Sequence, residues 1–358
     1  MSEKNRYNFA VIPGDGIGVD VTEEAIKVLD AIADVRGLTI DIDRMPYSAD
    51  HYLETGETLP KEMYTKFRDY DAIYMGAFGD SRVPDMRHAR DILLGTRFEL
   101  DLFINFRPVR CFADRLCPLK EWKADDVDFV VFRENTEGLY VGVGGIFKKG
   151  TPDEVAIQEQ INTRKGVERI IRAAFEYAKE HGRSRVTMSD KSNALRYGHD
   201  LWQRTFAEVA SEYPQIEHDH MYIDALAMAL IRDPSAFEVI VTCNLFGDIV
   251  TDLGAQLQGG MGMAASGNLN PQGTSMFEPV HGSAPDIVGQ DKANPFAAIL
   301  TAAMMLDDVK EHDAAAAIEK AVRAALDAGE CTAEVGGNLG TRATGDAVAQ
   351  RIRQGESA

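Results

Sequence analysis

At 358 residues, with 45% hydrophobic and 27% charged residues, the chain has the composition of an ordinary globular protein and a length that suits two domains. A formal charge of −19 argues against nucleic acid and anionic membranes as partners, since both need a basic face. No apolar run approaches a membrane span and the N-terminus carries no signal-type apolar core, so a cytoplasmic location is expected.

The first strand is expected over 8–12, running into Pro13-Gly14-Asp15-Gly16-Ile17-Gly18 and an amphipathic helix with Val21, Ala25, Val28, Leu29 and Ile32. A glycine turn at a helix entrance is where backbone N–H groups meet a phosphate or carboxylate. Its G-x-G-x-G spacing is not the dinucleotide fingerprint, and no acidic residue closes a βαβ unit about twenty residues later. A tight structural turn accounts for it equally well. Strands over 38–42 and 72–75 follow, and the alternation of strands with helices marks an α/β protein.

Leu93, Leu94, Arg97 and Asp101 are expected on consecutive turns of one helix, with Arg107 on the extended segment before Pro108. Cys111 and Cys117 come next; with Cys243 and Cys331 they are scattered without C-x-x-C spacing, which disfavours zinc and a disulfide framework. A strand over 127–132 then delivers Arg133 and the run to Tyr140. The guanidinium fork pairs both oxygens of a carboxylate, so three arginines at element ends suit a small polycarboxylate. Each taken singly is more commonly a salt-bridge arginine.

A helix over 167–179 leads to a strand over 185–188 and to Asp190-Lys191-Ser192-Asn193. A lysine leaving a strand end is placed to be desolvated and to act as a base, although a solvated lysine is the commoner case. A strand over 217–223 puts Asp224 ahead of the next helix, and a strand over 237–243 precedes a helix opening at Asn244. On that helix Phe246, Ile249, Val250, Leu253 and Leu257 have the spacing of a core stripe, and Asp248 and Asp252 share another face. Two carboxylates on adjacent turns repel unless a cation lies between them, and oxygen ligands suit a hard divalent ion. A wet acidic face is the commoner meaning of two such residues alone.

Beyond Gly259-Gly260 the chain is glycine-rich to Gly267. His281-Gly282-Ser283-Ala284-Pro285-Asp286 is a loop of small residues able to close on a flat group such as adenine. Its acid suits a ribose hydroxyl pair and repels an extra phosphate. Asn294-Pro295 opens an apolar helix over 296–306, and a last helix expected over 314–328 reads as scaffold.

Five motifs in order resemble, over nearly the whole chain, the β-decarboxylating dehydrogenases: the 3-isopropylmalate, isocitrate, homoisocitrate and tartrate/D-malate enzymes. They are Ile12-Pro13-Gly14-Asp15-Gly16-Ile17-Gly18, Asn105-Phe106-Arg107-Pro108, Arg133-Glu134-Asn135-Thr136-Glu137-Gly138, the run from Asn244 to Asp252, and the run from Phe277 to Asp286. The resemblance implies a two-domain α/β fold with a mixed sheet, distinct from the Rossmann type. Residues 1–102 plus 259–358 would form a cofactor-side domain, and 103–258 a central domain with the dimer interface and metal site.

It also implies roles. Arg97, Arg107 and Arg133 would hold the carboxylates of a small 2-hydroxy dicarboxylate, with Leu93 and Leu94 beside its remainder. Asp248 and Asp252 would bind Mg²⁺ or Mn²⁺, joined by Asp224 of the partner subunit, which also reaches the substrate. Lys191 of the partner subunit would be the base and Tyr140 the acid, so a homodimer would share its active sites. Asn193 would lie near the nicotinamide, and Glu278, His281, Gly282, Ser283, Ala284, Asp286 and Asn294 along the rest of the cofactor. Asp286 favours NAD over NADP.

Where isocitrate enzymes grip a third carboxylate and homoisocitrate enzymes add an arginine, this chain has Leu93-Leu94, an apolar floor that desolvates an alkyl group well and a carboxylate badly. That leaves 3-isopropylmalate, or tartrate and D-malate. Arg90 and Ala194 depart from the isopropylmalate pattern, and Lys191-Ser192-Asn193 before a small residue also occurs in the tartrate/D-malate type. Leu139-Tyr140, Asp91-Ile92-Leu93-Leu94 and Ala264-Ala265-Ser266-Gly267-Asn268 resemble actinobacterial-style isopropylmalate enzymes. The expected reaction is NAD-dependent oxidative decarboxylation of 3-isopropylmalate to 4-methyl-2-oxopentanoate and CO₂, with tartrate/D-malate dehydrogenase as the alternative. A non-catalytic regulatory subunit is disfavoured, because Lys191, Tyr140 and the three aspartates are all kept.

Overall fold

The structure, a computed structural model, describes residues 5–355. The chain opens with β1 (Arg6–Gly14), α1 (Ile17–Arg36), β2 (Thr39–Arg44), α2 (Ala49–Thr55), α3 (Lys61–Lys66), β3 (Ala72–Ala77) and α4 (Arg87–Glu99). Next come β4 (Ile104–Arg110), β5 (Asp128–Glu134), the short strands β6 (Gly144–Phe147) and β7 (Val155–Gln158), α5 (Arg164–Glu180), β8 (Arg185–Asp190) and α6 (Arg196–Ala210). β9 (Glu217–Tyr222), α7 (Ile223–Arg232), β10 (Val239–Thr242) and α8 (Asn244–Leu257) follow. The chain ends with β11 (Ala265–Leu269), β12 (Ser275–Pro279), α9 (Phe296–Asp308), α10 (His312–Asp327) and α11 (Thr341–Gln354).

Two units emerge. The first comprises Met1–Leu102, Arg110–Asp125 and Ala255–Ala358, and the second Phe103–Val109 and Asp126–Gly254. In the first, five strands run in the order β2-β1-β3-β12-β11, all parallel except β11, which pairs antiparallel with β12. The strands are therefore mixed in direction, unlike a doubly wound dinucleotide fold. In the second unit the order is β4-β5-β10-β8-β9, with β5, β10, β8 and β9 parallel, and β6-β7 form a separate antiparallel ribbon.

Each unit folds on a conventional apolar core. In the first, Phe9 and Val11 of β1, Leu29 and Ile32 of α1, Phe296 and Ile299 of α9, Ile318 of α10 and Ile352 of α11 form one cluster. Each such side chain, fully buried, contributes roughly 1.5–3 kcal/mol. Ile12, Ile73 and Met75 form a second cluster with Phe67, Tyr70 and Ile92, and Ile92 seats α4. In the second unit α5 buries Val167, Ile170, Ile171, Ala174, Phe175 and Ala178, a stripe at helical spacing. Thr163 caps that helix by accepting from the Gly166 N–H at 3.0 Å, a contact worth about 1 kcal/mol.

Several expectations need correction. α4 ends at Glu99 and Asp101 has φ 49°, so Asp101 does not continue the helical row of Leu93, Leu94 and Arg97. Ile249 is 57% exposed, while Val250 and Leu257 are buried; apolar spacing marks a face but not what covers it. Asp224 stands in the first turn of α7 rather than after a longer strand. α2, α3, α6, β11, β12, α11 and the β6-β7 ribbon lie outside the expected elements. The buried face of α11 sets Val348 and Ile352 among Thr341, Thr344, Gly345 and Ala349, and these four are too small or polar to make a stripe. Among the described residues no helix is long and apolar enough to cross a membrane.

Candidate active site

Arg133 occupies the penultimate position of β5, level with Thr242 of β10, and α8 begins two residues beyond that. The first turn of α8 therefore lies on the stem of Arg133. Gly247 makes this possible, because a Cβ there would overlap the Arg133 side chain. Asn244 accepts from Arg133 Nε at 3.1 Å and Nη2 at 2.7 Å, and donates to the Glu137 carbonyl at 3.2 Å. Arg133 Nη1 donates to Asp248 Oδ1 at 2.6 Å.

Two further groups converge on the same carboxylate. Arg107 Nη1, from β4, donates to Thr251 Oγ1 at 2.6 Å and lies 3.4 Å from Asp248 Oδ1. Tyr140 Oη donates to Asp248 Oδ2 at 2.6 Å, with Arg133 Cζ 5.3 Å from its ring. Two guanidiniums thus share one carboxylate, with a second carboxylate, Asp252, in reach of both charges. Asp252, one turn further on α8, has its pKa raised by lost hydration first and then by the Asp248 charge, against the pull of Arg107 and Arg133.

Lys191 leaves the end of β8. Its Nζ donates to Asp224 Oδ1 at 2.6 Å and lies 5.7 Å from the Tyr222 ring. That contact holds the Asp224 carboxyl below its ordinary range. Asp190 is fully buried and accepts from the Ser192 N–H at 2.9 Å and Gln203 at 2.8 Å, with His220 Nε2 also 2.8 Å away. Asn193 and Ala194 are exposed.

In the first unit, Arg97 Nη2 donates to Glu278 Oε1 at 2.7 Å, and Asn268 Nδ2 donates to the same oxygen at 2.9 Å. Leu93 and Leu94 are half-buried on α4. The loop after β12 closes on the first glycine turn: Ile17 N donates to the Ser283 carbonyl at 2.9 Å, and a Cβ on Gly16 would overlap that oxygen. Gly282 has open space around its Cα, and Asp286 is exposed. Asn294 accepts from the Phe296 N–H at 3.2 Å. His281 has its pKa lowered by burial, and its Nε2 is buried with no hydrogen-bond partner.

These arrangements fit the groups the sequence implies. An orphaned, neutral imidazole nitrogen in an open loop of small residues offers what an adenine edge needs, beside an acid suited to a ribose. Asp248 and Asp252 are hard oxygen donors whose mutual repulsion a divalent cation would relieve. Among the described residues no three His, Cys, Asp or Glu side chains converge as a metal cage, so Asp224 does not join them within this chain. Reading the sequence missed Asn244 and Thr251, which bond Arg133 and Arg107, and Asn268, which bonds Glu278; all three lie inside quoted motifs, but spacing alone does not rank them.

Residues 8–348 match the family model described as isocitrate/isopropylmalate dehydrogenase. The 3-isopropylmalate dehydrogenase of Thermobifida fusca is 48% identical over 96% of this chain and 97% of its own length. That of Nocardia farcinica is 48% identical over 90% and 95%. The crystal structure of isocitrate dehydrogenase from Methylococcus capsulatus superposes with a TM-score of 0.89 at 36% identity, covering 97% of this chain and all of that one. On a family match of this extent, this chain belongs to the isocitrate/isopropylmalate dehydrogenase family.

Proposed function

We propose that the chain catalyses the oxidative decarboxylation of 3-isopropylmalate to 4-methyl-2-oxopentanoate and CO₂, a step of leucine biosynthesis, with NAD and Mg²⁺ or Mn²⁺. The observation that carries this reading is the sharing of one carboxylate, Asp248, by Arg107, Arg133 and Tyr140. It sets anion-binding guanidiniums and a proton-bearing hydroxyl around a metal-type acid. Relatives named for 3-isopropylmalate support the substrate, as does the apolar pair Leu93-Leu94.

When bound, NAD supplies the hydride acceptor, and a divalent cation supplies positive charge to stabilise the enolate left by CO₂ loss. The remaining work falls to side chains. Arg97, Arg107 and Arg133 hold the two carboxylates by charge-assisted hydrogen bonds. Lys191 takes the proton of the C2 hydroxyl as hydride leaves C2. A base needs a lone pair on Nζ, so one ammonium proton of Lys191, held at Asp224 here, passes to solvent before the amine acts. The bond from C3 to its carboxylate then breaks, its electron pair passing toward the new C2 carbonyl. Tyr140 Oη delivers a proton to C3. One proton is taken from oxygen and one returned to carbon, with two electrons leaving as hydride.

A homodimer completes this scheme, with Lys191 and Asp224 serving the partner's site. Support comes from the second unit's surface, where Phe147 at 66%, Met228 at 68% and Ile249 at 57% are exposed. All four cysteines are free thiols, in keeping with a reducing cytoplasm. The small, exposed Ala194 beside Asn193 is the feature that favours tartrate or D-malate instead.

The test is kcat/KM measured side by side for 3-isopropylmalate, D-malate and tartrate, with Mn²⁺ and either NAD or NADP. A preference of at least about tenfold for 3-isopropylmalate with NAD is expected, equivalent to about 1.4 kcal/mol. Preference for D-malate or tartrate overturns the substrate, and no turnover with any of the three overturns the enzyme.

A further inference from the structure

The geometry points to His199 as the residue that positions Lys191, resting on the reading of Lys191 as the base. Lys191 sits where β8 has ended and α6 has not begun, a place where its backbone has no ladder partner. Its carbonyl is taken by the Ala194 and Leu195 N–H groups at 2.9 and 2.8 Å. Its own N–H points the other way and donates to His199 Nδ1 at 2.9 Å. One ring therefore closes the last open bond of the peptide that carries the base.

The proton arrangement on that ring is forced. A backbone N–H is always a donor, so Nδ1 is the lone-pair nitrogen and Nε2 carries the hydrogen. Burial favours the same neutral form, lowering the pKa of the fully buried His199 against the opposing charge of Asp190. Nε2 lies 3.1 Å from the end of the Gln160 side-chain amide, which must turn its oxygen to the ring, since two donors do not pair. The edge of the ring meets Phe246 of α8 with centroids 5.5 Å apart. Both nitrogens and one edge are thus held, and the imidazole is a fixed strut rather than a loose core filler.

The start of α6 is clamped in the same way. Trp202 Nε1 donates to Asn162 Oδ1 at 3.0 Å, and a Cβ on Gly198 would lie 2.6 Å from Asn162 Nδ2. Gln160 and Asn162, two residues apart on one loop, therefore fix His199 and its helix together. A displacement of about 1 Å in a catalytic group costs on the order of a hundredfold in rate, so this strut governs kcat rather than ground-state binding.

The test compares His199→Leu, His199→Asn and Lys191→Met. Asn places an acceptor oxygen at the same bond distance along the side chain as Nδ1; Leu places none. His199→Leu is expected to lower kcat about 10- to 100-fold with KM for substrate and NAD within about twofold, and to speed hydrogen exchange at the Lys191 amide. His199→Asn is expected to restore most of both. If the Leu variant folds poorly, Gln160→Leu, which frees only the far side of the ring, is expected to give a smaller fall in kcat at unchanged KM. Wild-type kcat in His199→Leu, or equal losses in the Leu and Asn variants, overturns the proposal. If Lys191→Met keeps its kcat, the base assignment itself is wrong; if Lys191→Met is inactive while His199→Leu is normal, only the strut is wrong.

Discussion

Arg97 in the first unit and Arg133 in the second are both buried arginines bonded to a carboxylate, yet the two pairs differ in exposure and in how the carboxylate is shared. Arg97 and Glu278 each have side chains 9% exposed, one cation to one anion, with Asn268 completing the shell. Asp248 is 34% exposed on its side chain and is shared by Arg133, Arg107 and Tyr140. A balanced pair withdrawn from water costs nearly as much to desolvate as it returns, and it matters chiefly because breaking it is expensive. A shared carboxylate at a partly open surface costs less to rearrange, so its guanidiniums can turn to an incoming anion.

The largest effect should come from breaking the balanced pair. Arg97→Met leaves Glu278 buried with only Asn268, and should lower stability by about 3–5 kcal/mol in urea unfolding near neutral pH. Arg97→Met with Glu278→Gln should recover much of that loss, since both charges are then gone. A loss below about 1 kcal/mol would put this pair on a level with exposed ion pairs and erase the distinction from Asp248.

How much of this was legible in the chain follows from how local each feature is. The turn at Gly14 and Gly16, the strand-end placing of Arg133 and Lys191, and the one-turn spacing of Asp248 and Asp252 are properties of a few adjacent residues, and the expected elements lay close to those observed. Periodicity could not show that Ile249 faces outward, because a stripe meant for a second surface looks like a core stripe. Nor could it show that His199 reaches back eight residues to Lys191, or that Glu137 accepts from the Thr163 N–H at 2.8 Å to seat the cap of α5. Those contacts depend on where α5 and α6 pack, which is tertiary information.

A buried carboxylate with no guanidinium bonded to it among the described residues sharpens the contrast. Glu134 follows Arg133 on β5 but, among the described residues, accepts from the Thr136 N–H and hydroxyl and from the Glu137 N–H. Burial raises its pKa from 4.5 to about 7, against those hydrogen bonds. With the folded value above the unfolded one, its contribution to stability is complete below about pH 4.5 and is lost as pH rises through about 7. Unfolding free energies at pH 5 and pH 8 should show the wild type losing up to about 3 kcal/mol more across that window than Glu134→Gln. Equal changes in the two proteins would mean that the carboxylate ionises without cost, as if a guanidinium reached it after all.

The smallest effect tests whether the Arg133 guanidinium is held in place by packing. In Gly247→Ala the new methyl would overlap the Arg133 stem, and Arg133, 1% exposed, has nowhere to retreat. Overpacking of this kind costs about 1–3 kcal/mol, partly offset by the roughly 1 kcal/mol that alanine gains over glycine in a helix. Gly254→Ala, on the same helix, would bring its methyl within 2.7 Å of a Val109 methyl, a comparable crowding with no guanidinium involved. Both variants should melt slightly lower. Only Gly247→Ala should raise KM for the dicarboxylate, by on the order of tenfold, because only there does strain tilt the fork that Asn244 and Asp248 orient. Equal KM values in the two variants would show that Arg133 tolerates displacement, and the anion site would then rest on charge alone rather than on a fixed geometry.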